Sequence, residues 1–337
     1  MKQLLVLSGK GGTGKTTVAA SLIELAGCTA CADCDVDAPN LHLIHGRRGE
    51  PETTDWKGYG KAELHADLCT RCGACEAACR FGAIRQIVVD PYACEGCAVC
   101  EAVCPVSDSD GKKAIRMVQP VTGHTVLYRE TNQAPDSDSG GCMHHRAAIC
   151  SNADAGMNQP AADLWVFSTA ALEMGSGASG KLVSAVRKNL YEVLGPEVVS
   201  GKTEAGRNRV VILDGSPGIG CPVIASVTGV DLVLIVTEPT VSGLHDLRRL
   251  AEVAGRFGVP CVACINRFDL QTACAAQLEA ACGALGIPVL GRIPYDRAAI
   301  EAVTRGVPLV RIEGSPAADA IRLLWQALQP RLGFAPA

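Results

Sequence analysis

Short, uninterrupted apolar runs alternate with longer stretches of helical periodicity along most of this chain. Leu4–Leu7, Cys28–Asp33, Leu164–Ser168, Val210–Asp214, Asp231–Thr237, Pro260–Ile265 and Val289–Gly291 read as strands. Lys15 to about Ala26, Ser179–Leu194, Leu244–Phe257 and Ala273–Leu285 read as helices. Strands with no polar face need cover on both sides, so the pattern predicts an α/β fold with a doubly wound, mainly parallel sheet. The alternation breaks between roughly Glu63 and Val118. It breaks again from about Glu130 to Ala162, a stretch rich in Ser, Asp, Asn, Ala and Gly that reads as a long polar surface insertion.

The first strand runs directly into Ser8-Gly9-Lys10-Gly11-Gly12-Thr13-Gly14-Lys15-Thr16-Thr17, a phosphate-binding loop. Glycines let backbone amides turn inward around β- and γ-phosphates, and Lys15 reaches the same oxygens. Thr16 offers its hydroxyl to Mg2+, and the helix from Lys15 points its positive end at the anion. ATP and Mg2+ are therefore expected ligands.

The first break in the pattern carries the second chemistry. Cys69-x2-Cys72-x2-Cys75-x3-Cys79 and Cys94-x2-Cys97-x2-Cys100-x3-Cys104 have the spacing of two [4Fe–4S] clusters, with the fourth cysteine of each run crossing to the other cluster. Cys69, Cys72, Cys75 and Cys104 are expected to hold one, and Cys94, Cys97, Cys100 and Cys79 the other. Structural zinc would explain CxxC pairs but not a third cysteine at the same offset in both runs. Arg80 follows Cys79 where Pro105 follows Cys104, a difference that could separate the two potentials.

Lys10, an extra lysine near the start of the phosphate loop, makes the loop resemble that of the MinD/ParA/nitrogenase-iron-protein superfamily of P-loop ATPases. Further landmarks follow in order: Asp33-Cys34-Asp35-Val36-Asp37 resembles a first switch, and Val210–Asp214 with Gly215-Ser216-Pro217-Gly218 a Walker-B strand and second switch. The resemblance implies a homodimer in which Lys10 reaches the partner's ATP. It also implies that Asp35 positions the attacking water, that Asp214 serves the magnesium shell, and that the Gly218 amide senses the γ-phosphate. Asp37 could share the role of Asp35. Asn266 matches an adenine-contacting asparagine, and Pro294-Tyr295-Asp296 a segment covering the base. With the cysteine runs inserted, the whole chain resembles MinD-type ATPases carrying a two-cluster ferredoxin domain. Ser179-Gly180-Lys181-Leu182-Val183 also matches that group, leaving an active-site contact by Lys181 open.

These readings divide the chain into a nucleotide fold in two parts, 1–62 and 164–337, an inserted cluster module at 63–118, and a connecting hairpin with the polar insertion at 119–163. The insertion point, just after the first switch, places γ-phosphate-sensitive backbone next to the clusters. Gly46, Gly49, Pro51, Gly58 and Gly60 imply slack in that connection.

Other candidates compete with simpler readings. Cys221 follows Asp214 at the offset of a dimer-bridging cluster ligand in the nitrogenase iron protein, but a packed or reactive thiol fits as well. Cys142, His144, His145 and Cys150 lie close together in the polar insertion without a standard metal spacing. Cys28, Cys31 and Cys34 span a strand, so their faces should diverge, as should those of Cys261 and Cys264; Cys274 and Cys282 read as helix packing. Ile321, Leu324, Trp325 and Leu328 mark a carboxy-terminal helix whose polar face lacks the basic excess of a membrane anchor.

Composition narrows the function. The net charge of −4 and the absence of a basic run argue against a nucleic-acid surface, and no apolar run is long enough to span a membrane, so a cytoplasmic protein is expected. The leading expectation is an ATPase whose dimer cycle drives electron transfer through two clusters to an unknown redox partner. An ATP-dependent cluster or metal-cofactor assembly factor is the alternative, and a positioning ATPase of the MinD/ParA kind the third, for which eight cluster cysteines would be unnecessary.

Overall fold

The computed structural model describes residues 1–46, 48–131, 164–173, 175–200 and 209–334. In chain order the nucleotide half begins β1 (Lys2–Leu7), α1 (Lys15–Leu25), β2 (Ala30–Asp33), α2 (Leu41–His45) and β3 (Pro51–Lys57). The cysteine region follows as β4 (Lys61–Leu64), α3 (Ala74–Ala78), β5 (Ile84–Arg85), β6 (Val88–Val89), α4 (Val99–Val103) and β7 (Ile115–Val118). The chain then returns through β8 (Val121–Thr131), β9 (Leu164–Leu172), α5 (Ser179–Leu194), α6 (Pro196–Val199), β10 (Val210–Asp214) and α7 (Cys221–Val227). It ends β11 (Leu232–Thr237), α8 (Val241–Arg256), β12 (Cys261–Asn266), α9 (Thr272–Ala284), β13 (Val289–Ile293), α10 (Ala298–Arg305) and α11 (Pro316–Leu328).

One nine-stranded sheet, in the order β13-β12-β11-β1-β10-β2-β9-β8-β3, organises the nucleotide half. The seven strands from β13 to β9 are parallel; β8 and β3 extend the edge antiparallel. Alternation along β1 explains the two layers of cover. Leu4 and Val6 share one core with α1 and with Ile321, Leu324, Trp325 and Leu328 of α11. Leu5 and Leu7 share the other with α5, α7, α8 and α9. The carboxy-terminal helix is thus a core element. Among the described residues, no helix is long and apolar enough to cross a membrane.

Residues 51–57 of the connection to the cysteine region form a paired strand rather than slack chain. Residues 51–57 and 121–128 pair as the β3/β8 ribbon, from Pro51↔Tyr128 to Lys57↔Val121, and β8 is itself locked onto β9. Two of the glycines read as slack are close approaches: a Cβ on Gly49 would strike the Arg129 carbonyl, and one on Gly58 the Thr122 hydroxyl, whereas Gly46 has open space around it. The polar strand Pro-Glu-Thr-Thr-Asp-Trp-Lys hides this from the sequence, because an edge strand exposed on nearly all its length has no apolar period. Beyond the ribbon, β4 pairs with β7 and β5 with β6 in separate two-stranded sheets around a small core of Ala62, Ala83, Ile84, Ala114, Ile115 and four of the cysteines.

Backbone hydrogen bonds join the first switch to the root of the ribbon. The Leu172 amide donates to the Val36 carbonyl (2.9 Å), and the next amide, of Glu173, donates to the Thr122 carbonyl of β8 (2.9 Å). Gly175 abuts the ring of Tyr92 in the cysteine region, where a Cβ would lie 2.9 Å from Cδ1. Its positive φ of 77° also favours glycine.

Candidate functional site

The phosphate loop spans the gap between β1 and α1, and its shape depends on Gly12 and Gly14, which have φ of 81° and 85°. Asn266, at the end of β12, donates from Nδ2 to the Thr13 carbonyl (2.8 Å) and lies so close to Gly14 that a side chain there would collide. The Gly218 amide donates to the Ser8 carbonyl (3.0 Å), so contacting a γ-phosphate would require it to leave that bond.

Neighbouring parallel strands bring three carboxylates to the loop. Asp214 of β10 and Asp33 of β2 are register partners at the carboxyl end of the sheet. Lys15 Nζ lies 2.6 Å from Asp214 Oδ1 and 3.9 Å from Asp35 Oδ2; the Lys15 side chain is 6% exposed and that of Asp214 0%. Burial works against the ammonium, but Asp214, with Asp33 and Asp35, holds its pKa above the ordinary value. Asp214 Oδ2 is buried without a hydrogen-bond partner, and Thr16 donates to Asn40 Oδ1 (2.9 Å) beside the loop. An orphaned carboxylate oxygen and a hydroxyl form a donor set suited to Mg2+.

Asp33 is the residue that sequence reasoning missed as functional. Its Oδ1 accepts from the Asp35 amide (3.0 Å), and its Oδ2 from the amides of Asn40 and Leu41 (2.9 Å each), tying the switch loop into a fixed arc. Its position at the head of the Asp-x-Asp pattern was a signal. Burial, then the neighbouring Asp214, pushes its pKa up to about 7. Burial likewise pushes Asp35 up to about 6. Asp37 is exposed, so the structure sets Asp35, not Asp37, against Lys15.

Lys10 is held within its own chain, 3.3 Å from Ser242 Oγ and 3.9 Å from Glu238 Oε2, with its side chain 42% exposed. A cleft lined by Gly14, Thr17, Asn266, Pro294, Tyr295 and Asp296 continues from the loop and can receive a flat base. The Asp296 carboxylate itself is occupied structurally. Although burial opposes it, bonds from Ser315 Oγ and the amides of Ala298 and Ala317 hold its pKa below the ordinary range.

The cysteine runs fold into matching halves. Gly73 and Ala98, both left-handed (φ 77° and 62°), precede the short helices α3 and α4, and Cys79 and Cys104 follow them in extended conformation. Cys75 shares its electrostatic surroundings with Cys69 and with Cys104 from the other run. Cys100 does so with Cys94 and Cys97. Cys79, Cys94, Cys97 and Cys100 line one cavity walled by Phe81, Ile84, Val99 and Met117. Four thiols around one apolar-walled cavity, one donated by the opposite run, fit a cubane cluster. Among the described residues no three metal-ligating side chains converge on a single ion, whereas a cubane takes one thiolate at each of four separate irons.

Several remaining candidates take structural positions. Lys181, left open as an active-site contact, instead sits over the ring of Tyr59 (4.1 Å), at the root of the cysteine region. Cys221 is exposed at the start of α7, packed so tightly on Gly180 that a Cβ there would lie 3.0 Å from its own. Cys31 and Cys34 enter opposite cores, but Cys28, which precedes β2, joins Cys31 on one side rather than opposing it. Cys261 and Cys264 diverge across β12, and Cys282 is core. Cys142, His144, His145 and Cys150 lie outside the described residues.

A family profile described as the CobQ/CobB/MinD/ParA nucleotide binding domain matches residues 4–309. An uncharacterised protein of Methanocaldococcus jannaschii is 29% identical over 268 residues, covering 76% of this chain and 75% of the relative. An iron–sulfur cluster carrier protein of Pyrococcus horikoshii is 30% identical over 150 residues, 39% of this chain and 49% of its own length. A ferredoxin-like protein from the nif region of Rhizobium leguminosarum bv. trifolii is 41% identical over 57 residues, 14% of this chain and 89% of its own.

Proposed function

We propose a function from one premise: the chain belongs to the CobQ/CobB/MinD/ParA nucleotide-binding family, and it carries a ferredoxin-like module. It is an ATP-binding iron–sulfur protein in which the nucleotide cycle controls one-electron transfer through two [4Fe–4S] clusters. Cys69, Cys72, Cys75 and Cys104 hold one, and Cys79, Cys94, Cys97 and Cys100 the other; bound there, the clusters supply reversible one-electron storage. Thr16 and Asp214 hold Mg2+, which neutralises phosphate charge. Lys15 turns from Asp214 to the phosphates, Asp35 orients the attacking water, and Lys10 leaves Glu238 for the nucleotide of a second copy in a homodimer.

The observation that carries this reading is the backbone path from Val36 through Leu172 and Glu173 to Thr122, which ties the first switch to the strand that roots the cluster module. Closure of the switch on a γ-phosphate would pull on that path. In redox titrations of anaerobically purified protein, a non-hydrolysable ATP analogue should therefore shift at least one cluster midpoint, and the shift should vanish in Lys15→Ala. Identical midpoints with and without the analogue would leave the module an uncoupled passenger.

The second reading, ATP-dependent assembly or delivery of a cluster or metal cofactor, is favoured by the similarity to the cluster carrier. Transfer of labile iron and sulfide to an apo-ferredoxin, accelerated by ATP, would select it. Purely positional cycling of the MinD/ParA kind is the least supported, because it gives the cysteines no task.

Burial gives hydrolysis an acid limit. With its pKa raised to about 6, Asp35 keeps its proton below that pH and is free to orient water only above it. ATP hydrolysis should fall about tenfold per unit below pH 6. Asp33, raised to about 7, protonates earlier on the way down and weakens the bonds that hold the switch arc. The check is a kcat profile from pH 5 to 8 against Asp35→Asn, which should bind ATP and hydrolyse almost none; a flat wild-type profile would remove Asp35 from the role.

A further inference from the structure

Lys61 opens β4 one residue beyond Gly60, where the ribbon gives way to the cysteine region. Its Nζ donates to the Cys94 carbonyl (2.6 Å), and the following amide, of Ala62, donates to Cys94 Sγ (3.4 Å). The loop is seated against the ribbon here: a Cβ on Gly96 would collide with the Gly60 carbonyl. Lys61 is half-buried and forms no ion pair with a carboxylate among the described residues.

The other run receives only part of this treatment. Cys69 Sγ accepts from the Arg71 amide (3.3 Å), matching the Ala62 amide. No side-chain cation donates to the loop from Cys69 to Cys75 among the described residues, and Arg71 is exposed. Near Cys94, Glu95 is a solvent-facing carboxylate, while Arg80, next to Cys79, is exposed and stacked over Phe81 at 5.5 Å. The two thiolate nests are therefore alike in each receiving one backbone bond and unlike in that only the Cys94 loop takes a hydrogen bond from a half-buried cation among the described residues.

We propose that Lys61 raises the reduction potential of the cluster held by Cys79, Cys94, Cys97 and Cys100, making this ribbon-side cluster the first of the two to accept an electron. This rests on the two-cluster reading above. Each cluster gains one electron from an external one-electron donor without bond making or breaking, and the gain makes it more negative. An unpaired ammonium fixed beside it stabilises that added charge, while water screens the exposed Arg71 at the other loop. Lys61 is a positioning and charge-setting residue, since it touches the ligand's carbonyl.

The test is an EPR-monitored dithionite titration of the full chain, purified anaerobically, as wild type, Lys61→Gln and Lys61→Arg. Two one-electron waves are expected, and Cys72→Ser, lacking an exposed ligand of the other cluster, identifies which is which. Lys61→Gln keeps a donor but no charge. It should lower the reduction equilibrium of the ribbon-side wave at least tenfold, which is 59 mV for a one-electron couple. The other wave should stay in place, and Lys61→Arg should restore the first. Two intact clusters with unmoved waves in Lys61→Gln overturn the inference alone. Loss of iron in both Lys61 variants would make the residue a loop support and overturn it too. A wild-type protein without labile sulfide would overturn the two-cluster reading and this inference with it.

Discussion

Lys15→Ala loses ATP binding by at least about a hundredfold, the scale expected when one partner of a buried, hydrogen-bonded charge pair is removed. The same substitution injures the empty protein. Lys15 is the buried cation between Asp214, Asp35 and Asp33, and breaking a buried pair of this kind costs about 3–5 kcal/mol before the carboxylates respond. Asp33 and Asp35 respond by taking up protons, so their folded pKa values, already raised, move further above the unfolded ones. A raised carboxylate stabilises the fold fully below its unfolded pKa and ceases to as pH climbs through the folded value. The melting temperature of Lys15→Ala should therefore fall further below wild type at pH 8 than at pH 6. Lys10→Ala is the informative contrast: on the dimer reading it binds ATP normally and fails to dimerise or hydrolyse it. Parental hydrolysis in Lys10→Ala would show the cross-interface assignment to be wrong.

Cys104→Ser should remove a cluster from the run to which it does not belong. Cys104 shares its surroundings with Cys75, and the cavity around Cys94, Cys97 and Cys100 takes Cys79 as its fourth thiol. Iron should drop from about eight to about four atoms per chain. The surviving cluster should be the one sensitive to Lys61→Gln. Cys79→Ser should give the complementary result, with similar iron content and the other EPR signal. If Cys104→Ser instead spoils the signal that Lys61→Gln moves, each run holds its own cluster and the crosswise assignment fails.

What could be read from the residues was whatever is local. A glycine-rich loop after an apolar strand, and cysteines at fixed offsets, are held by neighbours in the chain, so their spacing already encodes their geometry. Ser179–Leu194 and Val210–Asp214 carried enough apolar period to be bounded to the residue. What stayed hidden depends on pairing across long separations. The polar strand β3 is a strand only because β8 lies beside it. Lys61 finds Cys94, 33 residues further along the chain, and Lys181 of α5 meets Tyr59 across more than a hundred residues. Asp33 was visible as a letter but not as the anchor of its loop, since its three amide partners gather only once the chain has curled back on it.

The ribbon also bears on how such a molecule could arise. Because Lys57 and Val121 are register partners, the chain leaves and re-enters the sheet at adjacent positions. Whatever joins them is, to the sheet, a hairpin loop, and the entropy of closing a loop grows only with the logarithm of its length, about 0.6 kcal/mol per doubling. The edge of the sheet is thus nearly indifferent to the size of its cargo. Selection could lengthen, replace or retune the ferredoxin-like lobe while the nucleotide-binding face, built from other strands, kept its sequence.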